Sequence, residues 1–378
     1  MSRDIDKRLK SLDSRRRGTD RIAQLSLESA QQILSKSLIS ESYAKRAPWL
    51  KNTRYALGAM QAVDADYTKV SIEEAKRVGA QLESGLIKLD ISVQFRLQGS
   101  VPCDLHIRGV SDVDLLVLDD RYFRYDTDGV NAILGKFNNP VVYDTLSALQ
   151  QLRRHSESIL KNAYPAARVD TTGSKAINLS GGSLRRPVDV VPSNWYDTQE
   201  FQRSGAEVDR GVQILNKDVP ERVLNMPFKH IQRINQHDTL SMGGLKKAIR
   251  LCKNVKADAI DEGTKINLSS FDIASALWHS DLPALSVGIA SELAILGEVT
   301  RFLDFLARRP AYAATLKVPD GSREVFDTPS KHQALIQLSL EMDDLAVKVG
   351  REQGRLSEYA QLQSDQVIEL LRKAQVPV

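Results

Sequence analysis

The sequence predicts a mixed α/β fold of the α+β type, with a mixed-sheet core and a helical C-terminal lobe, bilobed around a central cleft. Three observations predict it. Residues 1–90 carry helical spacing, residues 91–225 alternate between strand and helix patterns, and residues 226–378 are helical in pattern almost throughout. These bounds are read as an N-terminal helical segment packing on the core, the core itself, and the lobe. A cleft between two such lobes is a usual place for a ligand.

In the first segment, Asp4 to Leu38 has mostly helical spacing, with Arg15, Arg16 and Arg17 as a basic interruption and Gly18-Thr19 as a break. Ser71 followed by Glu74 reads as a capping box for an amphipathic helix running to Ile87. Ser92 to Leu97 then alternates polar and apolar, the period of a half-buried strand. Val113 to Leu118 is mostly apolar and so central in its sheet. Thr145 to Asn162 is a helix, Arg168 to Thr172 and Ala176 to Leu179 are short strands, and Gly181-Gly182 turns into a strand over Pro187 to Pro192 that partners the previous one. Beyond Pro227, helices are expected at Phe228–Asn235, Leu245–Lys253, Ser270–His279, Leu282–Leu306 and His332–Lys373. Pro310, Pro319-Asp320-Gly321 and Pro329 separate the last two.

Composition narrows the partners. Apolar residues at 42% and charged residues at 26% are ordinary for a globular protein, and 378 residues can bury a large core. A net charge of +4 is small for a chain that coats nucleic acid, so small phosphorylated ligands fit better, and there is no strong sign of nucleic-acid binding. Cys103 and Cys252 have no knuckle or framework spacing, which suits a reducing compartment. Residues 3–17 are charged and no long apolar window occurs, so neither a secretory signal nor a membrane span is expected, and the chain reads as cytoplasmic.

The chemistry is carried by aspartates. Gln98-Gly99-Ser100 closes the first core strand, and Asp112-Val113-Asp114 follows after a spacer. Residues two apart on a strand share a face, so Asp112 and Asp114 project together while Val113 and Leu115 enter the core. Adjacent carboxylates repel unless a cation lies between them, and hard oxygen ligands suit Mg²⁺ or Mn²⁺. Asp189 has the same setting, between Val188 and Val190. Three strand-borne aspartates could hold two metal ions for phosphoryl transfer: one ion, bridged by all three, activating a ribose hydroxyl, the other binding a nucleoside triphosphate. Gly99 would let backbone approach a phosphate and Ser100 would donate to it. Asp104, Asp119, Asp120 and Asp170 lack the apolar flanks and read as loop or strand-end residues.

With these residues in place, the chain resembles the nucleotidyltransferase superfamily with the polymerase-β-like core, whose signature is Gly-Ser, a spacer, Asp-x-Asp and a later Asp. More narrowly it resembles the bacterial cyclic-oligonucleotide synthases, or CD-NTases, related to cyclic GMP-AMP synthase and oligoadenylate synthetase. Pro187 to Trp195, Gly211 to Asn216 with Pro227 to Asn235, and Leu245 to Lys253 with Ser269 to Ile273 carry the narrower likeness, which runs from about Gln94 to the 280s. Many relatives have a threonine in the spacer, where this chain reads Cys103-Asp104-Leu105-His106. The resemblance implies a metal-dependent enzyme that condenses ribonucleoside triphosphates into a cyclic di- or trinucleotide second messenger. It also implies service in bacterial antiphage (CBASS) signalling, with a separate messenger-activated effector and a possible regulatory protein or peptide.

Lys246, Arg250 and Lys253 form one cationic stripe beside Leu245, Ile249 and Cys252, and a solvated face is the default expectation. The resemblance places a lysine of this helix on donor phosphates, with Lys247 the alternative if the helix is rotated. Tyr143, Tyr164, Trp195 and Tyr196 are candidates to stack on a base, although core packing explains most aromatics beside strands. His106 and His230 read as structural, and Arg15 to Arg17 as an exposed basic end. Two other functions compete: a template-independent transferase that modifies an RNA, protein or small molecule, and a catalytically inactive nucleotide-binding module.

Overall fold

Between Val93 and Asn225 the apolar runs pair into one sheet. In the computed structural model, which describes residues 3–19, 31, 42–107, 109, 111–357, 359, 361 and 363–376, its strands are β1 (Val93–Gln98), β2 (Val113–Tyr125), β3 (Arg168–Asp170), β4 (Ile177–Ser180), β5 (Val188–Asp197), β6 (Gly211–Asn216) and β7 (Glu221–Asn225). The order is β1-β2-β5-β4-β3, with β6 on the far half of β5 and β7 on β6. β2 and β5 run parallel and the other pairs are antiparallel.

Both faces of β2 and β5 are covered, as their near-continuous apolar runs require. Val113, Leu115, Val117, Val188 and Val190 pack against α3 (Ala65–Ile87) and α4 (Thr145–Ala163) through Val78, Leu82, Leu149 and Leu152. The opposite face buries Leu116, Leu118, Val191 and Trp195, and Phe228 packs on it from α5 (Pro227–Leu240). The helical lobe is built around α6 (Gly244–Asp261), with α7 (Ser270–Leu277), α8 (Leu293–Ala307), α9 (Pro329–Gln353) and α10 (Ser364–Lys373).

The N-terminal helices divide between the two bodies. Whereas α3 lies on the sheet, α1 (Ile5–Arg17) and α2 (Lys51–Met60) contribute Leu9, Leu12, Tyr55 and Leu57 to the core of the helical lobe. Of the described helices in residues 1–90, only α3 therefore packs on the core, while α1 and α2 belong to the lobe. Arg15 is not part of an exposed basic end either. It is 5% exposed, and its guanidinium donates to both carboxylate oxygens of Asp258 at 2.6 and 2.9 Å, while Tyr55 donates to the same carboxylate at 2.5 Å. Arg16 donates to carbonyls at the end of α2, and only Arg17 of the three is exposed.

Other expectations are corrected by local chemistry. The helix before Ile87 starts at Ala65, where Asp64 accepts from the Asp66 amide, so Ser71 and Glu74 form no capping box. Ser71 donates back to Tyr67, and buried Glu74 accepts from Arg185. Asp119 and Asp120 lie within β2, and Asp119 is fully buried because Arg121 folds back onto both its oxygens. The expected helix over Leu282–Leu306 breaks at Val287–Ala290, and that over His332–Lys373 breaks at Gly354-Arg355, where Arg355 takes a positive φ. Strands β6 and β7 had no counterpart in the pattern reading. The stretch of the Asp4–Leu38 helix beyond Thr19 falls outside the described residues, apart from Gln31. No helix among the described residues is long and apolar enough to cross a membrane.

Removing Arg15 leaves the Asp258 carboxylate buried without its cation. Arg15→Ala is expected to cost ~3–5 kcal/mol of stability, seen as unfolding at lower urea concentration; an unchanged midpoint would show that Tyr55 alone satisfies Asp258.

Candidate active site

Strand register assembles the site. Gln98 of β1 pairs with Asp114 of β2, Asp114 with Asp189 of β5, and Asp189 with Asn178 of β4. Cross-strand partners share a face, so these four side chains form one polar row across the sheet. The neighbouring row, Leu97, Leu115, Val190 and Ile177, faces the helices α3 and α4. Asp112 stands just before β2, two residues from Asp114 and on the same side. Asn178 Nδ2 donates to Asp112 at 3.1 Å and to Asp189 at 2.9 Å, tying the two carboxylates together.

Gly99 follows β1 in the left-handed conformation, with φ 74°. A Cβ there would overlap Oδ2 of Asp114. Glycine is thus required both by the backbone turn and by the carboxylate beside it. The loop from Ser100 to Ser111 is pinned from the other lobe by α6. Arg250 donates to the carbonyls of Asp104 at 2.7 Å and Met60 at 2.9 Å, and Lys253 donates to the carbonyl of Leu105 at 2.6 Å and to Ser111 at 3.3 Å. Both side chains are buried, which corrects the expectation of a solvated cationic face.

Like charges dominate the electrostatics. Burial, then the proximity of Asp189 and Asp112, pushes the Asp114 carboxyl up to about 7. Burial also raises Asp189, against the opposing hydrogen bond from Asn178. Lys253 is pulled down to about 7 by its burial. Among the described residues, no group of three or more His, Cys, Asp or Glu side chains is placed to hold a metal ion. An open carboxylate floor is nonetheless the donor set for a hard cation that keeps waters and phosphate oxygens as its other ligands.

Gln98, Asp114 and Asp189 of this row floor a cavity of about 750 Å³ between the lobes. Gln98, Gly99, Ser100, Asp112, Asp114, Asp189 and Lys253 line it together. Lys246 and Lys247 are not among the lining residues: Lys246 lies 3.7 Å from Asp238, and Lys247 is 2.6 Å from Glu292. Of the expected stacking candidates none lines the cavity. Trp195 is core, with Arg210 over its ring at 4.5 Å, Tyr143 abuts Tyr122, Tyr164 sits under Arg77, and Tyr196 lies on β5. The cavity's aromatic is Phe271 of α7, stacked on His230 at 4.4 Å and approached by Arg323, which Asp272 holds at 2.5 Å. His230 is lowered to about 4 by burial. His106 lies outside the cavity lining, its Nε2 3.0 Å from Thr68. Asn178, Phe271, Arg323 and Lys175 are site residues that sequence reasoning did not single out. For Asn178 the signal was present, since a polar residue alternates with Ile177 and Leu179 in a strand already expected.

No family model matches the chain. A cyclic dinucleotide synthase, CdnE, of Yersinia aleksiciae is 43% identical over 314 residues, which span 83% of this chain and 81% of that protein. The chain belongs to the CD-NTase family of cyclic-oligonucleotide synthases. A c-di-GMP synthase of a Lachnospiraceae bacterium is 33% identical over 249 residues, 60% of this chain and 68% of that one. The solved structure of the STING-associated CdnE c-di-GMP synthase from Capnocytophaga granulosa superposes with a TM-score of 0.69 at 28% identity, covering 92% of this chain and 99% of that one. The synthase thus has the polymerase-β-like fold, and it is a nucleotidyltransferase that makes a cyclic oligonucleotide from nucleoside triphosphates.

Two predictions follow from the carboxylate floor. Gly99→Ala must displace Asp114, and a synthase so altered is expected to lose about 10²-fold in activity while keeping its far-UV circular dichroism; full activity would show that the turn tolerates a side chain. Asp114→Asn removes a repelling charge. In metal-free buffer at pH 8 it is expected to melt about 2–4 °C higher, the shift of ~1 kcal/mol, and a lower melting temperature would refute the repulsion.

Proposed function

We propose that the synthase joins two ribonucleoside triphosphates, with GTP the leading substrate, into a cyclic dinucleotide over the floor formed by Asp112, Asp114 and Asp189. The observation that carries this is the row of Gln98, Asp114 and Asp189, with Asp112 beside it, at the base of an interlobe cavity. GTP leads because relatives 33% and 35% identical are c-di-GMP synthases.

Gly99 and Ser100 would hold the triphosphate of the donor nucleotide beside the floor, with Gln98 and Lys253 at its edge. The acceptor ribose would lie toward Asp189. Its hydroxyl oxygen attacks the donor α-phosphorus, the bond between the α-phosphorus and the bridging oxygen breaks, and pyrophosphate leaves. The hydroxyl proton passes to a carboxylate oxygen of Asp189. A second round on the linear dinucleotide closes the ring.

The family's chemistry depends on divalent metal, and the side chains fit it. Asp112, Asp114 and Asp189 offer hard oxygens with unrelieved repulsion, and the Asn178 amide donates into the gap between two of them. These residues would hold Mg²⁺ or Mn²⁺, two ions in all. Bound there, the cations would screen the triphosphate charge and acidify the attacking hydroxyl. The protein would act in the bacterial cytoplasm in antiphage signalling, its messenger read by a separate effector; the STING-associated relative supports that arrangement.

The test is incubation of purified protein with all four labelled ribonucleoside triphosphates and Mg²⁺ or Mn²⁺, followed by phosphatase. A phosphatase-resistant product that persists with GTP alone is expected. Asp112→Ala and Asp189→Ala should each lower its yield by about 10²–10⁴-fold. A product that appears only when RNA, protein or another acceptor is added, or a fully active double variant, would overturn the proposal.

A further inference from the structure

The cations of the cavity wall are unequally committed. Lys253 is spent on Leu105 and Ser111, and Arg323 on Asp272 and Asp327. Lys175 lines the same cavity from the β3–β4 turn, is exposed, and is bonded to none of the described residues.

The turn that carries Lys175 is heavily fixed. Arg153 of α4, only 2% exposed, donates through Nη2 to the carbonyls of Thr171 at 3.4 Å, Gly173 at 3.1 Å and Ala176 at 3.0 Å. Glu157 balances the Arg153 charge at 2.6 Å. The Lys217 amide donates to the Ser174 carbonyl at 3.0 Å and its ammonium to that of Thr171. Asp170 accepts from the Thr172 amide and hydroxyl at 2.9 and 2.6 Å. Burying a guanidinium is expensive, and a hairpin link with no task does not need one. Here it sets the conformation of 171–176 and so the place from which Lys175 reaches the cavity.

Position says what Lys175 meets. Along the polar row the Gly99-Ser100 turn lies at the β1 end and Asn178 at the β4 end, and Lys175, just before β4, lines the cavity from the β4 side of Asp189. If the donor triphosphate occupies the Gly99 end, the acceptor enters from the Lys175 end. In the first condensation that acceptor carries a 5′-triphosphate of its own, in a cavity whose wall also bears Asp112, Asp114, Asp189 and Asp320. We infer that the 171–176 turn is an acceptor-phosphate clamp, with Lys175 pairing the 5′-phosphates of the nucleotide that supplies the attacking hydroxyl. The inference rests on the function proposed above. Ring closure is different, because the linear dinucleotide presents its 5′-triphosphate as donor and leaves the acceptor residue only a phosphodiester. Lys175 therefore matters most in the first step.

The experiment compares wild type, Lys175→Ala, Lys175→Glu and Lys175→Arg in two assays: condensation of the triphosphate selected by the product assay, and cyclisation of the matching linear 5′-triphosphorylated dinucleotide. Lys175→Ala is expected to raise the KM of condensation about tenfold with kcat nearly constant, Lys175→Glu to raise it further, and Lys175→Arg to restore it. Cyclisation should suffer less, so the ratio of cyclisation to condensation rises in the Ala and Glu variants. An unchanged KM in Lys175→Glu, or equal loss in both assays, would overturn the clamp while leaving the synthase reading intact. A wild type that closes no ring in either assay would overturn that reading and the clamp with it.

Discussion

The structure turns on the parallel pairing of β2 with β5, which sets Asp114 directly beside Asp189. Two half-buried carboxylates on neighbouring strands repel, and Asp112 adds a third charge. The sheet enforces that proximity because the alternate positions, Val113, Leu115, Val188 and Val190, are locked in a core shared with α3 and α4. Slipping the register by one residue would bury the aspartates and expose the valines. Hydrophobic packing thus holds an unfavourable charge arrangement in place, and the repulsion is what makes the floor receptive to cations. The same core fixes Asn178, whose amide offsets part of that repulsion.

A second dependence runs through α6. This helix is the centre of the helical lobe, yet Arg250 and Lys253 leave its face to hold the carbonyls of Met60, Asp104 and Leu105. The loop that joins the Gly99 turn to Asp112 is therefore shaped by a body other than its own. The Gly99 turn, the carboxylates and the helical lobe are coupled through backbone carbonyls, which no side-chain substitution on the loop itself can remove.

Much of this was legible in the sequence. The Gly-Ser turn, the three aspartates and their strands were visible because strand periodicity is local and each aspartate interrupts an apolar run. The switch from strand to helix near Pro227 was visible for the same reason. What escaped was decided by partners distant in the chain. Arg15 and Arg16 look like a solvated run until Asp258 and the end of α2 are brought to them. A helical wheel gives the stripe of Lys246, Arg250 and Lys253 but not its exposure, and two of the three are buried. Ser71 and Glu74 have capping-box spacing, but Asp64 had already started the helix. Lys175 and Arg323 sit in turns, where periodicity carries no signal, and β7 is an edge strand with mostly half-exposed residues. The expected aromatics failed for separate reasons: Trp195 is buried in the core of the sheet, Tyr164 is buried at the end of α4, and Tyr143 and Tyr196 lie away from the cavity, which a helix residue, Phe271, faces instead.

The division of the N-terminal helices has a consequence for how the chain can be cut. It leaves the helical lobe after Met60, enters the sheet body with α3, and returns to the lobe through Met226 into α5. The lobe is thus assembled from both sides of the sheet body in sequence, with Leu9, Leu12, Tyr55 and Leu57 completing a core otherwise built mostly from helices beyond residue 226. A fragment that starts at Pro227 would lack part of its own interior, and neither body corresponds to one contiguous half of the chain.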